Sequence, residues 1–318
     1  MREVTVVIPN YNGIAYIDKC IKALQAQKKA PAFDIIVVDN NSTDGSKELV
    51  KEKYKEVYLI PLDDNYGFCK AVNVGIKAAK TQFVILLNND TQVQENFVAA
   101  LYERIRQKHT IFSVSSMMIQ AKNPALIDDA GDYYCALGWA FARGKDKSVK
   151  EYEKPCEITA ACAGAAIYRK QVFETIGYFD EAHFAYLEDI DVGYRARLYG
   201  YHNVYEPKAK VYHEGSGASG SRYNEFKVRH SSRNSIYLIR KNMPWFQKIC
   251  NLPFFMAGFL IKTLFFFKKG LGVTYLKGLW NGMCMPLDGK KVKFQGKHWK
   301  NYVKLQLELW GNMAKKLQ

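Results

Sequence analysis

Residues 4–9 of the chain read VTVVIP, residues 33–39 read FDIIVVD and residues 83–87 read FVILL. These three runs decide the fold, because each is short and predominantly apolar, which is the pattern of a strand buried on both faces of a sheet. A similar run over residues 57–61 predicts a further strand. The chain therefore begins with several buried strands at regular intervals.

Apolar residues recur at helical spacing in the intervals between these strands. The predicted helices are residues 14–24, a segment ending at Lys53, residues 70–80 and residues 97–105. Alternating strands and helices predict an α/β fold with a mostly parallel central sheet and helices on both faces.

The alternation weakens beyond residue 110. Strands are predicted over 113–119, 204–205 and 210–213, and at the end of a run of small residues over 160–168. A helix is predicted over 189–198, and residues 120–155 are predicted to be mostly loop.

Composition restricts the class of protein. The chain has 318 residues, of which 48% are hydrophobic and 24% charged, which excludes a disordered or collagen-like chain. Its seven cysteines are scattered and form no CxxC pair. This argues against a disulfide framework or a structural zinc site and favours a reducing cytosol. The first residues do not have the pattern of a secretory signal, so we expect none.

The positive charge is concentrated in the last third of the chain. Residues 222–318 contain 19 Lys and Arg against three acids, a net charge of +16, whereas residues 1–221 have a net charge of −1. This asymmetry indicates an anionic partner, either a membrane surface or a nucleic acid. Residues 252–267 are strongly apolar, but they number 16 and include Lys262, whereas a membrane span needs about 20 apolar residues. We therefore expect a helix lying in an anionic membrane surface.

Polar clusters follow three of the predicted strands, at residues 9–13 (PNYNG), 39–44 (DNNSTD) and 88–91 (NNDT). Ligands of open α/β sheets bind at the carboxyl ends of the strands. Neither a GxGxxG fingerprint nor a GxxxxGK[ST] phosphate loop is present. A divalent cation can hold a diphosphate instead, and Asp90 and His213 are candidate ligands. The alternatives are a helix N-cap for Asp90 and an ordinary loop histidine for His213.

Three acids lie within residues 188–191 (EDID). At a helix N-terminus the helix dipole would keep them ionised, and an ionised aspartate can take a proton from a hydroxyl. The alternative is helix capping by Asp189 or Asp191, with the following arginines as ion-pair partners.

Six segments, in order, resemble the family 2 inverting glycosyltransferases of the GT-A fold. They are VVIPNYNG, IIVVDNNSTDGS, NYGFCKAVNVGIKAA, FVILLNNDT, GYFDEAHFAYLEDIDVGYRARLYGY and YHEGSGA. The resemblance covers about residues 4–217 and is closest to the bacterial rhamnosyltransferase-like branch, where Asn-Asn-Asp stands in the metal motif. In the basic region, Arg233-Asn234 resembles a pair that recurs in this branch.

The resemblance implies roles for the residues at matching positions. It implies that Asp39 holds a uracil or thymine base, that Asp90 and His213 bind Mg²⁺ or Mn²⁺, and that Asp189 is the catalytic base. The other implied contacts with the nucleotide sugar are those of Pro9, Asn10, Tyr11, Asn65, Gly67, Lys70, Asn88 and Asn89. Asn88 departs from the family pattern, because it replaces the first acid of Asp-x-Asp and removes a negative charge near the metal.

The acceptor side is less defined by the sequence. The candidate contacts are Glu188, Asp191, Gly164, Trp139 and Arg233. Arg233 would hold the diphosphate of a polyprenol-linked acceptor or belong to a membrane-facing surface, and Gly164 would admit a substrate or allow tight packing. Asp128 and Asp129 are expected in a solvated loop.

Together these patterns predict a glycosyltransferase domain over 1–221, with a nucleotide-binding half over 1–110 and an acceptor half over 111–221, and a basic amphipathic helical region over 222–318. The expected reaction is inverting transfer of L-rhamnose from dTDP-rhamnose to a lipid-linked or polysaccharide acceptor in cell-envelope glycan synthesis. Alternative donors are UDP-galactofuranose, UDP-glucose and UDP-N-acetylglucosamine. The expected location is cytoplasmic, peripheral at the inner face of the cell membrane.

Two other classes of function remain as alternatives. One is a catalytically silent nucleotide-sugar binder, against which the intact Asp90, Asp189 and His213 argue. The other is a nucleic-acid-binding protein, motivated by the basic aromatic tail. The nearly neutral first two thirds and the apolar segment 252–267 argue against it, so we expect no nucleic-acid partner.

Overall fold

A ten-stranded mixed sheet forms the centre of the protein in a computed structural model that describes residues 2–215 and 223–317. Residues 216–218, at the end of the YHEGSGA segment, lie outside the described residues. The strands are β1 Val4–Asn10, β2 Phe33–Asp39, β3 Tyr58–Pro61, β4 Phe83–Leu87, β5 Thr91–Val93, β6 Ile111–Gln120, β7 Ile127–Asp129, β8 Asp132–Cys135, β9 Trp139–Ala142, β10 Cys156–Ile158, β11 Ala165–Arg169 and β12 His202–His213. The helices are α1 Ile17–Gln25, α2 Ser46–Lys53, α3 Gly67–Ala78, α4 Phe97–Arg106, α5 Lys170–Ile176, α6 Glu188–Leu198, α7 Glu225–Asn242, α8 Trp245–Lys268, α9 Gly272–Cys284 and α10 Trp299–Leu317.

The first half of the sheet is the parallel part that the sequence predicts. Strand β1 lies between β2 and β4 and is parallel to both, and every residue of β4 is buried. Helix α3 packs closely on β1, because Gly75 has no side chain: a Cβ there would lie 2.2 Å from Cγ1 of Val7. The carboxyl ends of these strands therefore meet at one edge.

The second half makes the sheet mixed. Strand β11 is antiparallel to both β4 and β6, and β12 pairs in parallel with β6. The two short strands predicted over 204–205 and 210–213 are parts of β12, whose register shifts between Glu206 and Lys210. Pro207 lies within that irregularity and cannot donate a ladder hydrogen bond, which explains why the sequence suggests an interruption.

The segment over residues 120–155 is mostly loop, as predicted, but it also contains short elements that the sequence does not indicate. This segment contains β7, the hairpin of β8 and β9, and a 3-10 turn at Val149–Tyr152. Its strands are three or four residues long, which is too short for a period of two to be recognised. Within this segment Tyr134 is completely buried.

Four helices follow the sheet. Helix α8 has 24 residues and includes Pro253, so it extends well beyond the predicted segment 252–267. Among the described residues it is the one helix that is long and apolar enough to cross a membrane by length and composition, and only 22% of its most apolar stretch is buried.

A buried ion cluster joins α6 to α7. Asp191 accepts hydrogen bonds from Arg195 (2.7 Å) and Asn242 (2.8 Å), and its carboxylate lies 2.9 Å from Nζ of Lys241. Lys241 also lies 2.8 Å from the carboxylate of Asp180. Burial alone would raise the pKa of Asp191. The positive charges of Arg195 and Lys241 outweigh this effect and hold that pKa well below its usual range. Asp191 therefore has a structural role in place of the predicted contact with an acceptor.

Replacing Asp191 with Asn is expected to lower the free energy of unfolding by about 3–5 kcal/mol, because Arg195 would remain buried without its carboxylate partner and Lys241 would keep only that of Asp180. Urea denaturation at pH 7 measures this. As a control, Glu103→Gln removes an ion pair with Arg106 in which both side chains are more than half exposed, and it should change stability by less than about 1 kcal/mol. Equal effects of the two substitutions would contradict the prediction.

Candidate active site

A cleft of about 860 Å³ lies at the carboxyl ends of β1 and β4. The predicted residues that line it are Pro9, Asn10, Tyr11, Asn65, Gly67, Asn88, Asn89, Asp90, Gly164, Glu188, Asp189 and His213. Residues 90, 189 and 213, which lie far apart in the chain, thus reach one cleft. Gly164 is a wall of it, where its carbonyl accepts from the backbone N–H of Asn88 at 2.8 Å.

The buried amide of Asn10 connects three strand ends. Its Nδ2 donates to Asp39 Oδ1 at 2.9 Å and to Ser46 Oγ at 2.9 Å, and its Oδ1 accepts from Asn89 Nδ2 at 2.7 Å. Asp39 is fully buried, and its second oxygen accepts from the backbone N–H of Ser42 at 2.9 Å. Asp39 holds the amide of Asn10, which lines the cleft, but Asp39 itself is not a lining residue. Its contact with a uracil or thymine base therefore stays a prediction.

Asp90, Asp128 and His213 form a carboxylate–imidazole cluster in the wall of the cleft. His213 Nδ1 lies 2.7 Å from Asp128 Oδ2, and His213 Nε2 lies 3.3 Å from Asp90 Oδ1. Burial favours the neutral ring, but the two carboxylates outweigh it and raise the pKa of His213 to about 10. The expectation that Asp128 lies in a solvated loop is wrong, since its side chain is only 12% exposed.

The cluster fits a divalent cation. A carboxylate that holds one ring nitrogen of a histidine leaves the other nitrogen oriented toward a metal, and here that nitrogen faces Asp90. The alternative of helix capping by Asp90 is wrong, because β5 follows Asp90 directly and Asn96 precedes α4. A second group of possible ligand atoms, on Asp129, Asp132 and Cys162, lies within 4.8 Å in the same cleft.

Four acids that form no salt bridge with any residue that the structure describes line one part of the cleft: Asp129, Asp132, Glu188 and Asp189. Burial, followed by the charges of Asp129 and Asp189, raises the pKa of Asp132 well above its usual range. Burial, followed by the charge of Asp189, raises the pKa of Glu188 to about 8, and burial also raises the pKa of Asp129 to about 7. Burial likewise raises the pKa of Asp189, although the helix dipole predicted ready ionisation. A raised pKa makes an aspartate a stronger base once it is ionised.

A strained turn brings Glu188 and Asp189 to the cleft. Phe184, Tyr186 and Leu187 all have positive φ angles of 62°, 71° and 67°, and such backbone conformations cost roughly 1–3 kcal/mol each. Gly67 faces the turn, with a φ of +82°, and a Cβ there would lie 2.6 Å from the ring of Phe184. No local pattern in the sequence indicates this turn.

Several predicted site residues lie outside the cleft. Lys70 lies 3.4 Å from the carboxylate of Glu181. Trp139 donates its indole N–H to the carbonyl of Gly258 in α8 at 3.1 Å. Arg233 donates to two backbone carbonyls in the segment before α6. Trp139 and Arg233 thus contact the protein's own backbone where the sequence predicts contacts with an acceptor.

The sequence did not predict that α7 contributes to the cleft. Phe226, Lys227 and Ser231, in the first turns of α7, line it together with Asp132 and Phe141. The basic region therefore takes part in the site, and its charge pattern alone gave no signal of this.

Known proteins resemble the chain in sequence and in fold. The model of the family described as "Glycosyl transferase family 2" matches residues 5–177. The N-acetylglucosaminyl-diphospho-decaprenol L-rhamnosyltransferase of Mycobacterium tuberculosis is 24% identical over 270 residues, which are 76% of this chain and 86% of that protein.

Two solved structures share the fold. The mannosyltransferase PcManGT from Pyrobaculum calidifontis, in complex with GDP-Man and Mn²⁺, matches with a TM-score of 0.56 and 15% identity over 100% of this chain and 88% of that chain. GalNAc-T7 with UDP, GalNAc and Mn²⁺ matches with a TM-score of 0.60 and 18% identity over 75% of this chain, and this chain spans about half (48%) of it. These likenesses confirm the predicted fold class.

Replacing Glu188 with Gln is expected to raise the free energy of unfolding at alkaline pH. The pKa of Glu188 is raised from 4.5 to about 8, so the folded state keeps a proton that the unfolded chain releases. The stability linked to that proton is complete below pH 4.5 and is lost as the pH rises toward 8. Since Gln is neutral at every pH, the variant should gain about 4 kcal/mol over the wild type at pH 8 and almost nothing at pH 4.

Urea denaturation at several pH values measures this difference. Glu174→Gln, at an exposed position of α5, is the matched control and should show no such pH dependence. A Glu188→Gln variant that is no more stable than the wild type at pH 8 would mean that Glu188 is not held in a protonated state.

Proposed function

Because this chain belongs to glycosyl transferase family 2, we propose that it is a metal-dependent, inverting glycosyltransferase that moves a sugar from a nucleoside diphosphate to an acceptor hydroxyl. The observation that carries the proposal is the meeting of Asp90, Asp189 and His213 in one cleft. Without it, the family's implied roles would have no common site.

In the proposed mechanism, Asp189 is the base. It takes the proton of the acceptor hydroxyl as that oxygen bonds to the anomeric carbon of the donor sugar. The bond from the anomeric carbon to the diphosphate oxygen breaks with its electron pair, and the nucleoside diphosphate leaves from the opposite face. A single displacement inverts the anomeric configuration and needs no second carboxylate as nucleophile.

Asp90 and His213 would hold Mg²⁺ or Mn²⁺, which when bound offsets the charge of the departing diphosphate. The carboxylate of Asp128 would keep the imidazole of His213 oriented. Asn88 supplies a neutral amide where the family has the first acid of Asp-x-Asp, so we expect weaker metal affinity than in a site with both acids. The pocket for the nucleotide would be formed by Pro9, Asn10, Tyr11, Asn65 and Gly67.

The donor that we propose is dTDP-rhamnose, and the acceptor is a lipid-linked or polysaccharide glycan of the cell envelope. The support is the Mycobacterium tuberculosis relative, which is named as an L-rhamnosyltransferase for a diphospho-decaprenol substrate. UDP-galactofuranose, UDP-glucose and UDP-N-acetylglucosamine remain the alternative donors, since the uracil and thymine bases present the same N3–H group.

Helix α8 supports a peripheral membrane location, because it presents an apolar face to solvent. Its exposed side chains are apolar and follow one face at spacings of three and four: Trp245, Ile249, Leu252, Met256, Leu260 and Leu264, which are 54–72% exposed. Its buried face carries Gln247 and Asn251, both 0% exposed. A face of this kind suits a hydrocarbon surface, and the net charge of +16 over residues 222–318 suits anionic headgroups.

Helices α9 and α10 add further exposed apolar stripes. In α9 the exposed residues are Val273, Leu276, Trp280 and Met283, and in α10 they are Trp299, Val303, Leu307 and Trp310. We therefore assign residues 1–221 to the catalytic domain, whose cleft α7 completes, and residues 222–318 to a region that contacts the inner face of the cytoplasmic membrane.

Substituting Asp189 with Asn should abolish sugar transfer, because the amide cannot take a proton, and should leave nucleotide binding nearly unchanged. The first measurement is a thermal-shift screen of dTDP-rhamnose and the UDP-sugars with Mn²⁺, since a bound donor stabilises the folded state by mass action. We expect the largest shift from dTDP-rhamnose, with the shift retained in Asp189→Asn.

The second measurement is the release of nucleoside diphosphate with a polyprenyl-diphosphate sugar as acceptor. Asp146→Asn, outside the cleft lining, is the control and should transfer normally. Turnover retained in Asp189→Asn would remove Asp189 from its role, and shifts with UDP-sugars alone would refute the donor assignment.

The protein is expected to sediment with vesicles of phosphatidylglycerol and phosphatidylcholine at physiological salt. The double substitution Leu260→Ser/Leu264→Ser should weaken this binding roughly tenfold or more, because it removes apolar area from the bilayer contact. Both positions are exposed, so the fold should persist.

Tyr58→Ser provides the matched control, since Tyr58 is 63% exposed on β3 and lies outside the proposed membrane contact. It should bind vesicles like the wild type. Binding to RNA or DNA at the same salt, without binding to vesicles, would favour the nucleic-acid alternative and refute the membrane assignment.

A further inference from the structure

Two adjacent side chains of α7 hold the strained turn that precedes Asp189. Asn234 is 0% exposed, and its Nδ2 lies 3.0, 2.9 and 2.8 Å from the carbonyl oxygens of His183, Ala185 and Tyr186. One amide thus serves three carbonyls of a single turn.

Arg233 continues this set of bonds toward the N-terminal side of the turn. Its Nη2 donates to the carbonyls of Ala182 (3.0 Å) and His183 (2.7 Å). Its Nε donates to Oδ1 of Asn234 at 2.9 Å, which fixes the orientation of the amide. The Arg233–Asn234 pair therefore satisfies every carbonyl from residue 182 to residue 186 except that of Phe184, which accepts from the backbone N–H of Cys69 at 3.4 Å.

Ring contacts from α7 add to these hydrogen bonds, since the ring of Phe184 stacks on that of His230 with the centroids 5.5 Å apart, and the ring of Tyr186 lies 6.2 Å from that of Phe226. The ring of His183 is fully buried, but neither of its nitrogens has a hydrogen-bond partner. Phe184, Tyr186 and Leu187 adopt positive φ angles, which side chains other than glycine rarely do and which persist only when the surroundings impose them. Helix α7 supplies both hydrogen bonds and ring contacts that impose this conformation.

Helix α7 is itself fixed at its other end. Tyr237 donates to Asp180 at 2.8 Å, and Arg240 donates to the carbonyls of Gly282 and Met285 in and after α9, both at 2.8 Å. The pair therefore acts from a rigid support, and the position of α7 determines where the turn lies.

We propose that Arg233 and Asn234 are positioning residues for the transfer reaction, which hold the turn 183–187 so that Asp189 faces the acceptor hydroxyl. This inference rests on the proposed function, because it assumes that Asp189 is the base. It replaces the predicted contact of Arg233 with an acceptor diphosphate by a contact with the protein's own backbone.

Asn234→Ala and Arg233→Lys test the proposal. Displacing a reacting group by about 1 Å can cost roughly 100-fold in rate, so we expect kcat to fall about 30-fold or more in each variant. The affinity for UDP or dTDP with Mn²⁺ should stay within about twofold of the wild type, because the turn does not contain the nucleotide-binding residues. Hydrogen exchange of a peptide covering residues 183–190 should become faster.

Arg240→Lys is the matched control. Arg240 lies on the same helix and, like Arg233, donates to two backbone carbonyls, but those carbonyls lie near the C-terminus of α9. It should lower stability by a similar amount while kcat and the exchange of residues 183–190 stay near the wild-type values. Arg233→Lys keeps the positive charge, and it tests the positioning role by itself if Asn234→Ala does not fold.

The outcomes separate the two proposals. Folded variants with unchanged kcat and unchanged exchange would overturn the positioning role, as would a parallel loss of kcat and nucleotide affinity, which indicates a general disturbance. If the wild type transfers no sugar from any donor, the proposed function fails. Faster exchange at 183–190 in Asn234→Ala, but not in Arg240→Lys, would then still support the constraint on the turn, and unchanged exchange would refute it.

Discussion

A sheet that is covered on both faces can offer polar side chains to a ligand where its strands end, and this constraint places the chemistry of the protein. Strands β1, β2 and β4 are parallel, so their polar ends meet at one edge. The buried amide of Asn10 then joins these ends through hydrogen bonds to Asp39 and Asn89. The cleft lies at this edge, and Asp189 and His213, from later in the chain, line it together with the strand ends.

Local patterns predicted the features that are local. Long apolar runs identified β1, β2 and β4 and the polar clusters after them, and Asp90, Asp189 and His213 do line one cleft. The short strands within residues 120–155 were missed, because strands of three or four residues carry too little periodicity. The burial of Asp129 and Asp132, which depends on these strands, was missed for the same reason. Long-range contacts of single side chains, such as those of Trp139 and Arg233, depend on tertiary placement that no local spacing encodes.

Helix α6 contains acids in two opposite environments within one turn. Asp191 faces Arg195 and Lys241, so it is ionised and stabilises the packing of α6 on α7. Glu188 and Asp189 face the cleft beside Asp129 and Asp132, and burial raises their pKa values. Asp191 thus stabilises the folded state, whereas the buried Glu188 and Asp189 lower its stability when they are ionised. Such a cost is expected where a functional group must be kept reactive.

The polar contacts on the buried side of α8 are specific. Gln247 accepts from the hydroxyl of Tyr194 at 2.5 Å, and Asn251 exchanges hydrogen bonds with Gln306 at 2.8 and 2.9 Å. A hydrogen-bonded amide tolerates few replacements, whereas fluid hydrocarbon accommodates any apolar shape. In most proteins exposed positions vary among polar residues, but here the exposed positions are apolar. We expect them to vary among Leu, Ile, Met and Phe during evolution, whereas the buried amides of Gln247 and Asn251 should be conserved.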